Sequence, residues 1–330
     1  MRICIFGAGA IGGHIAGHLA TVDGVEVNVV ARGEHLEAIR RKGLRIVSDS
    51  TDFTVRVNAT DKPQELGIHD YVFITLKSHQ VPAAVPAIRT LLGADTAIIP
   101  PTTGIPYWYF HGVPGRWAEH RLSRLDPGNV LWDGLGPERA LGCAFWTGAE
   151  VIEPGVIRQD GASSGYPLGE PNGIRSERVT TLSRLMSQGG LRAPVRDAIR
   201  GDIWMKMINS LVWNQVAFLT TASNGEIATS PETVLLVRRM MGEMETLAHA
   251  FGVDIPVPME KRINMTLGAA GHRMSMLQDL QRGRTIEIDA LADSVTAMSE
   301  LTGIAAPTVD ALVALTKLRG RLAGVYVPQP

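Results

Sequence analysis

The sequence predicts two domains of different class: an α/β domain over residues 1–197 and an all-helical domain over residues 198–330. In the first part, short apolar runs of strand length alternate with helical patterns, which is typical of a parallel sheet with helices packed on it. From about Ala198 onward the strand patterns disappear, and segments with apolar residues at helical spacing follow one another. A chain of 330 residues is long enough for two domains of ordinary size.

Composition argues against several classes of function. The net charge is −1, from 32 basic and 33 acidic residues, so neither a nucleic acid nor an anionic membrane is an expected partner. Cys4 and Cys143 lie far apart, which argues against a disulfide framework and a zinc site, and no other metal site is predicted. No apolar run reaches the roughly 18 residues that a transmembrane helix needs. A strand begins at the first residues and leaves no room for a signal peptide, so we expect a cytoplasmic protein.

A glycine motif near the start of the chain indicates dinucleotide binding. It follows a strand-like run at residues 3–6, opens a helical pattern, and consists of Gly7, Ala8, Gly9, Ala10, Ile11 and Gly12. In this G-x-G-x-x-G arrangement the first glycine permits a tight turn, the second lets the backbone approach a pyrophosphate, and the third lets helix and strand pack closely. The amino end of the helix favours phosphate groups. We therefore expect a Rossmann-type cofactor domain.

Two basic residues refine the cofactor prediction. The second strand, residues 25–32, ends in Arg32 and lacks the Asp or Glu that binds the ribose 2′-hydroxyl of NAD. The planar guanidinium suits a 2′-phosphate, so the sequence favours NADP(H). A later buried strand, residues 70–77, ends in Lys77, and the carboxyl ends of parallel strands face the ligand crevice. Lys77 is therefore a second candidate for cofactor binding.

The remaining pattern of the first part is a mixture of helices and strands. We expect helices at 33–43, 81–93 and 177–190, a hairpin at 44–57, and a strand at 96–100. Residues 126–170 are rich in Gly and Pro and suggest short strands and turns, and residues 128–134 are among them. In the second part, five helices are expected, at 200–222, 230–252, 257–283, 285–303 and 306–324.

The first of these helices carries an unusual polar face. Lys206, Ser210 and Asn214 are spaced four residues apart, which places them on one side of a helix that is otherwise mostly apolar. A lysine in such surroundings costs free energy unless it is paired, functional, or long enough to reach solvent with its ammonium group. The functional interpretation makes Lys206 a proton donor in a ligand cleft, and the structural interpretation makes it a lysine that reaches solvent.

Several motifs together resemble the ketopantoate reductase (2-dehydropantoate 2-reductase) family. They are the glycine motif, TLKSHQ at 75–80, IWMKM at 203–207, SMLQDLQRGRTIEID at 275–289 and GIAAPTVDAL at 303–312. The resemblance covers nearly the whole chain. It implies a Rossmann-type domain followed by an all-α domain like the C-terminal domain of 6-phosphogluconate dehydrogenase, with NADPH and substrate in the cleft between them. The implied reaction is the NADPH-dependent reduction of a 2-oxo acid.

The resemblance also implies roles for individual residues. Lys206 matches the general acid that protonates the ketone oxygen, and Glu287 matches the glutamate that holds the substrate hydroxyl. Ser275 matches a serine that contacts the substrate carboxylate, and Asn214 matches a polar residue of the substrate cleft. The residues that match cofactor contacts of the family are Gly7, Gly9, Gly12, Arg32 and Lys77.

Two positions depart from the family pattern. The turn after the strand at 96–100 normally carries Asn-Gly, and the Asn contacts both cofactor and substrate, but here Thr103 precedes Gly104. Four residues after the lysine the family usually has Asn, where this chain has Ser210. Each departure replaces an amide by a shorter hydroxyl, and each lost hydrogen bond costs about 1–3 kcal/mol. The sequence therefore favours a pocket adapted to another 2-oxo acid or a related ketone.

Two other functions stay open from the sequence. An amino- or imino-acid dehydrogenase or a 3-hydroxyacid dehydrogenase has a similar layout, although Lys206, Glu287 and the SMLQD stretch argue against these. A catalytically silent NADP(H)-binding sensor would account for the departures at Thr103 and Ser210, although the presence of Lys206 and Glu287 favours a catalytic function. The oligomeric state also stays open, with a homodimer among the alternatives.

Overall fold

The computed structural model describes residues 1–327, and it describes their side chains except at 161–163. The chain forms two compact units. The first comprises Met1–Thr102 and Pro106–Arg200, and the second comprises Thr103–Ile105 and the residues from Gly201 onward. The expected pair of domains, 1–197 and 198–330, remains a prediction about which segments fold independently.

The first unit contains a five-stranded parallel sheet. Its strands are β1 (Arg2–Phe6), β2 (Glu26–Val30), β5 (Asn58–Thr60), β6 (His69–Ile74) and β7 (Leu92–Ile99). The spatial order is β5-β2-β1-β6-β7, and every neighbouring pair is parallel. The chain proceeds from β1 to one side through β2, and later to the other side through β6. The point where the strand order reverses therefore lies beside β1, and the predicted α/β class is confirmed.

Helices connect and cover these strands. They are α1 (Ala10–Leu19), α2 (Gly33–Lys42), α3 (Val81–Arg89), α4 (Val130–Leu135) and α5 (Glu177–Gln188). The expected helices near 33–43, 81–93 and 177–190 are present. Residues 128–134 were expected to form a short strand or a turn, and this prediction is wrong, because most of them belong to α4. Asp126 accepts hydrogen bonds from the backbone N–H groups of Leu131 (2.9 Å) and Trp132 (2.8 Å), and this stabilises the first turn of α4.

Strands expected within 44–57 and 126–170 form a second sheet in the same unit, and only their pairing with each other was not expected. Its strands are β3 (Leu44–Val47), β4 (Asp52–Val55), β9 (Trp146–Glu153) and β10 (Val156–Gly165), in the order β4-β3-β10-β9. The antiparallel pair β3–β4 confirms the predicted hairpin, but β3 also pairs in parallel with β10, which is about a hundred residues later. Two short strands, β8 (Gly142–Cys143) and β11 (Leu168–Gly169), form a separate antiparallel pair.

Helix α1 contacts both sheets through glycines. A Cβ added at Gly12 would lie 3.0 Å from Ile5 of β1. A Cβ at Gly13 would lie 2.7 Å from the side chain of Ile157, and one at Gly17 would lie 2.3 Å from Ile46, both in the second sheet. Because an added Cβ would lie this close to neighbouring side chains, no residue larger than glycine fits at these positions without displacing its neighbours. The motif at the amino end of α1 is thereby held between two layers of strands.

The second unit is helical. Its helices are α6 (Ile199–Thr220), α7 (Asn224–Ala228), α8 (Pro231–Ala250), α9 (Met259–Gly268), α10 (Ser275–Gln281), α11 (Asp289–Thr302) and α12 (Pro307–Leu322), of which the first two residues of α6 belong to the first unit. Helix α8 begins as its sequence predicts, because the Ser230 hydroxyl accepts a hydrogen bond from the Thr233 N–H and Pro231 occupies the first helical position. Gly252, just past its end, has φ of +69°.

Two helix predictions in this unit are wrong at their boundaries. The expected helix at 257–283 is interrupted between α9 and α10, where the Ala270 and His272 carbonyls accept hydrogen bonds from the N–H groups of Gly225 and Asn224. Those bonds divert the backbone from helical pairing. The helix expected from residue 285 begins at Asp289, because the Ile286 N–H donates to the Val325 carbonyl (2.9 Å). Helix α7 was not expected. Among the described residues, no helix is both long and apolar enough to cross a membrane.

A buried polar network joins α1 to the second sheet. The imidazole of His14 has no solvent exposure, and its two nitrogens lie 2.7 Å from the Tyr166 hydroxyl and 2.9 Å from Oε1 of Gln159. The Thr147 hydroxyl donates to the Tyr166 oxygen (2.8 Å). A neutral imidazole with its proton on Nε2 satisfies every contact, since it donates to Gln159 and accepts from Tyr166. Burial lowers the pKa of His14 to about 4.

This network predicts a loss of stability in mild acid that depends on His14. The unfolded chain binds a proton at His14 near its ordinary pKa of 6.5, whereas the folded protein binds it only near pH 4. The stabilisation is therefore complete above pH 6.5 and is lost as the pH falls toward 4, by about 3 kcal/mol in total. We expect His14→Gln to show a correspondingly flatter dependence of the free energy of unfolding on pH, measured by urea denaturation.

The exposed His249 provides the matched control. His249→Gln should keep the pH dependence of the unmodified protein, because His249 is exposed on α8 and lies outside the buried network of His14. Equal slopes for His14→Gln and the unmodified protein between pH 6.5 and 4 would contradict the assignment of a buried neutral imidazole.

Candidate functional site

The glycine motif forms an open turn between β1 and α1. Gly7 has φ of +111°, and its N–H donates to the Val30 carbonyl (3.0 Å) at the end of β2. A Cβ at Gly12 would lie 2.0 Å from the Gly7 carbonyl oxygen and 2.3 Å from the Thr75 hydroxyl, so only glycine fits there. Gly9 is exposed at the amino cap of α1, and a Cβ on it would meet nothing within 4 Å. The turn therefore leaves space for a phosphate group directly beside the amino end of α1.

The two predicted basic residues lie at the same edge of the sheet as this turn. Strands β2 and β6 flank β1 on either side, and Phe6 is in register with both Val30 and Ile74. Arg32 follows β2 by two residues and is exposed at the amino cap of α2. Lys77 lies three residues beyond the end of β6, so the expected strand at 70–77 is too long at its carboxyl end. It is half-buried and caps a single helical turn, Ser78–Gln80.

The segment around Thr103 belongs to the second unit, although the chain on both sides of it belongs to the first. Gly104 has φ of +83°, and a Cβ on it would lie 2.4 Å from both the Ala290 carbonyl oxygen and the Ser294 hydroxyl oxygen. The Ile105 N–H donates to that hydroxyl (2.8 Å). Gly104 is therefore required twice, by its backbone conformation and by its approach to α11. The half-buried Thr103 is held immediately beside this contact.

Three predicted residues of the helical unit are joined by hydrogen bonds. Asn214 of α6 donates from Nδ2 to the backbone carbonyl of Ser210 (2.7 Å). Its Oδ1 accepts from the Ser275 hydroxyl (3.2 Å) and from the Met276 N–H (2.9 Å) at the start of α10. Lys206 lies one turn before Ser210 on α6 and is half-buried. The helical spacing and these bonds bring the SMLQD segment onto the polar face predicted for α6.

These bonds give Asn214 a clear structural task. Its side chain is only 5% exposed, and both polar atoms already have partners. Because Oδ1 accepts an N–H of the first turn of α10, Asn214 caps that helix from outside the helix itself. Ser275, by contrast, is exposed. Contact of Asn214 with a substrate, as the resemblance implies, remains a prediction, and Ser275 offers the more accessible polar group of the two.

Glu287 lies in a segment that the end of the chain holds in place. On one side of it, the Ile286 N–H donates to the Val325 carbonyl (2.9 Å). On the other side, Oδ1 of Asp289 accepts a hydrogen bond from the Tyr326 hydroxyl (2.8 Å) and pairs with Nζ of Lys317 (2.7 Å). Burial and the bond to Asp289 raise the pKa of Tyr326. We name this arrangement of Asp289, Lys317, Val325 and Tyr326 the C-terminal clasp.

The clasp was not found from the sequence. Tyr326 and Asp289 are 37 residues apart, and neither belongs to a recognisable motif with the other. A lone tyrosine near the end of a chain gives no signal of its partner. The half-buried Glu287 also lies three residues before Ala290, whose carbonyl is covered by Gly104. The predicted residues Thr103 and Glu287 therefore both adjoin the first turn of α11.

Comparison with known proteins gives matches on both parts of the chain. The family model described as ketopantoate reductase PanE/ApbA matches residues 3–105, and the model of its C-terminal part matches residues 198–320. A 2-dehydropantoate 2-reductase from Mesorhizobium japonicum is 42% identical over 326 residues, which cover 99% of this chain and all of that protein.

Solved structures agree with these matches. A protein from Ralstonia solanacearum MolK2 assigned as a ketopantoate reductase superposes with a TM-score of 0.90 at 33% identity, covering 98% of this chain and 99% of its own. D-mandelate dehydrogenase, in a complex with NADH and anilino(oxo)acetate, has a TM-score of 0.82 at 20% identity, with 99% and 100% coverage. The second likeness establishes a shared fold alone. Because the family models cover most of the chain and the Mesorhizobium protein matches it from end to end, this chain belongs to the ketopantoate reductase family.

Proposed function

We propose that this protein is an NADPH-dependent reductase that converts the ketone of a ketopantoate-like 2-oxo acid to an alcohol. The observation that carries the proposal is the 42% identity, over the full chain, to a protein named 2-dehydropantoate 2-reductase. Ketopantoate reductases are oxidoreductases that use NADPH to reduce a ketone, and this chain belongs to their family. The geometry of the glycine turn and the polar residues of the helical unit support the same reaction.

The first unit has the features needed to hold the cofactor. Only glycine fits at position 12, and the open space at Gly9 admits a pyrophosphate at the amino end of α1. Arg32 would bind the 2′-phosphate, and Lys77 would contact the cofactor from the neighbouring strand end. When bound, NADPH would supply the hydride.

The proposed chemistry of the chain's own residues is proton transfer and orientation. Reduction of a ketone places negative charge on its oxygen, and Lys206 donates the proton that neutralises it. The positive charge of Lys206 also favours a carboxylate substrate and the developing alkoxide. Glu287 accepts a hydrogen bond from the substrate hydroxyl, and the exposed Ser275 donates to the carboxylate. Ser210 lies one turn after Lys206 on α6, and Thr103 adjoins the first turn of α11 through Gly104; both adjust the shape of the pocket.

Substrate choice is expected to depend on Thr103 and Ser210. Both have shorter side chains than the asparagines usual in the family, while Lys206 and Glu287 are retained. We expect the double variant Thr103→Asn, Ser210→Asn to raise kcat/KM for ketopantoate, relative to the best substrate in a panel of 2-oxo acids, by about 10- to 100-fold. The rate of NADPH oxidation by the purified unmodified protein and by the double variant gives kcat/KM for each substrate.

The unmodified protein is the decisive comparison in that experiment. If it already reduces ketopantoate with kcat/KM near 10⁵ M⁻¹s⁻¹, on the order of ordinary enzymes, then the adaptation of the pocket is refuted while the family reaction stands. If the protein binds NADPH but none of the 2-oxo acids in the panel causes its oxidation, the proposed reductase function is itself refuted.

Lys206 is expected to act in the chemical step. Lys206→Ala should lower kcat by about 100-fold or more, the usual effect of removing a general acid, with little change in the dissociation constant for NADPH. The exposed Lys261 of α9 provides a matched control, and Lys261→Ala should leave kcat unchanged. A normal kcat for Lys206→Ala across the pH range would show that this lysine has only a structural task.

Arg32 is expected to select NADPH over NADH. Loss of charge-assisted hydrogen bonds to a phosphate should weaken NADPH binding by about 10- to 100-fold in Arg32→Ala, while NADH binding changes little. Arg32→Lys should give an intermediate result, because lysine keeps the charge but loses the planar fork. The dissociation constants for both cofactors test this. Equal affinity of the unmodified protein for NADPH and NADH would contradict it.

A further inference from the structure

The turn after α12 directs the end of the chain back toward the segment before α11. Gly324 has φ of +69°, a left-handed conformation that terminates helices and reverses the chain. The N–H groups of Val325 and Tyr326 both donate to the Gly320 carbonyl, at 2.9 and 3.2 Å. A Cβ on Gly320 would lie 2.7 Å from Cβ of Tyr326. These two glycines therefore allow Val325 and Tyr326 to pack closely against the last turn of α12.

Glu287 lies in a stretch with no regular structure of its own. Residues 284–288 connect α10 to α11 and belong to no helix or strand. The neighbours of Glu287, Ile286 and Ile288, are 4% and 0% exposed, and Glu287 itself is half-buried. Because neither helical nor strand pairing fixes the backbone here, the position of the Glu287 carboxylate depends on contacts from elsewhere in the chain.

The C-terminal clasp supplies such contacts on both sides of Glu287. The Val325 carbonyl accepts a hydrogen bond from the N–H of Ile286, the residue directly before it (2.9 Å). Two residues after Glu287, Oδ1 of Asp289 accepts a hydrogen bond from the Tyr326 hydroxyl (2.8 Å). Tyr326 and Asp289 are 37 residues apart in the sequence. Two consecutive residues of the returning chain thus hold both flanks of Glu287.

The two carboxylates of this segment have different tasks. Oδ1 of Asp289 receives the Tyr326 hydroxyl and also pairs with Nζ of Lys317 (2.7 Å), and only 19% of the Asp289 side chain is exposed. Two donors on one oxygen fix the direction of that side chain. Asp289 is therefore committed to the clasp, and Glu287 is the one of these two carboxylates that the proposed function assigns to the substrate.

We propose that Tyr326 is a positioning residue for substrate recognition: through Asp289, and through the neighbouring Val325 carbonyl, it sets the place where Glu287 accepts the hydrogen bond of a substrate hydroxyl. This inference rests on the proposed function, which gives that role to Glu287. Hydrogen bonds weaken steeply as their geometry departs from the optimum. A loosened backbone beside Glu287 therefore weakens its contact with the hydroxyl even though the carboxylate is still present.

A clasp that only stabilised the fold would have different consequences. Its loss would lower the fraction of folded protein, and activity would fall equally toward every substrate. A clasp that positions Glu287 affects only those substrates that carry the hydroxyl group. Two substrates that differ in this group alone therefore separate the two roles.

The experiment compares ketopantoate with its analogue in which hydrogen replaces the hydroxyl group. The unmodified protein should have kcat/KM about 10- to 100-fold higher for ketopantoate, the usual effect of a hydrogen bond to a charged group. Tyr326→Phe removes only one hydroxyl and should lower this ratio by about 3- to 10-fold, with kcat/KM for the analogue nearly unchanged. Asp289→Ala should lower the ratio further. Asp289→Asn keeps an acceptor for Tyr326 and should have a smaller effect than Asp289→Ala.

Variants of Glu287 show whether the clasp acts through this residue. Glu287→Ala should abolish the preference for ketopantoate, and adding Tyr326→Phe should then leave the ratio unchanged, because there is no carboxylate left to position. Tyr71→Phe is the matched control, since the Tyr71 hydroxyl also donates one hydrogen bond, to the Arg178 carbonyl (2.8 Å) in the first unit. It should leave the ratio unchanged. Circular dichroism and thermal unfolding check that each variant is folded.

Several outcomes overturn the proposal while the reductase function stands. They are an unmodified protein that reduces 2-oxo acids but does not prefer ketopantoate to its analogue, a ratio that Tyr326→Phe leaves unchanged, and a Tyr326→Phe effect that persists in full beside Glu287→Ala. If the unmodified protein reduces no 2-oxo acid, the proposed function itself fails, and the inference about Tyr326 fails with it.

Discussion

Close packing of the backbone of α1 between two sheets is the constraint on which the first unit depends. At Gly12 this helix approaches the first sheet, and at Gly13 and Gly17 it approaches the side chains of Ile157 and Ile46. With no Cβ at these positions, strand and helix can lie nearer than side chains would allow. The amino end of α1 is thereby fixed beside the turn at Gly7, where a bound phosphate would meet its N–H groups. The second sheet, whose strands the sequence indicated but whose pairing it did not, completes the support of this helix on its other side.

Buried polar groups fix how distant segments meet. His14 links α1 to Tyr166 and Gln159, and Asn214 links α6 to the first turn of α10. Such groups contribute little net stability when paired, but a mispaired alternative leaves a buried donor or acceptor unsatisfied. They therefore penalise other arrangements more than they stabilise the native one. The C-terminal clasp follows the same principle at the surface of the helical unit, where Asp289 is joined to both Tyr326 and Lys317 beside Glu287.

The sequence predicted the parts whose signals are local. The glycine motif, the parallel strands, the helix cap at Ser230 and the helical second half all follow from short-range chemistry, and the family resemblance was carried by contiguous motifs. Two of the wrong predictions share one physical cause. The break between α9 and α10 depends on hydrogen bonds donated by the backbone of Asn224 and Gly225, and the late start of α11 depends on a bond accepted by the Val325 carbonyl, all far away in the sequence. The helix at 130–135 differs, because its first turn is held by the nearby Asp126. Local periodicity carries no information about a partner that the chain supplies elsewhere.

The candidate site shows the same division. The sequence alone identified the glycines of the turn, the basic residues after β2 and β6, and the departure at Thr103. It also identified the polar face formed by Lys206, Ser210 and Asn214. Only the tertiary structure showed that Asn214 caps α10 and that the residues flanking Glu287 are bonded to Val325 and Tyr326. It also showed that Gly104 is needed for its approach to Ala290 as well as for its turn. Residue type and spacing determine which groups are available for chemistry. Which of them are already committed to other atoms depends on contacts between segments far apart in the chain, and those contacts exist only once it has folded.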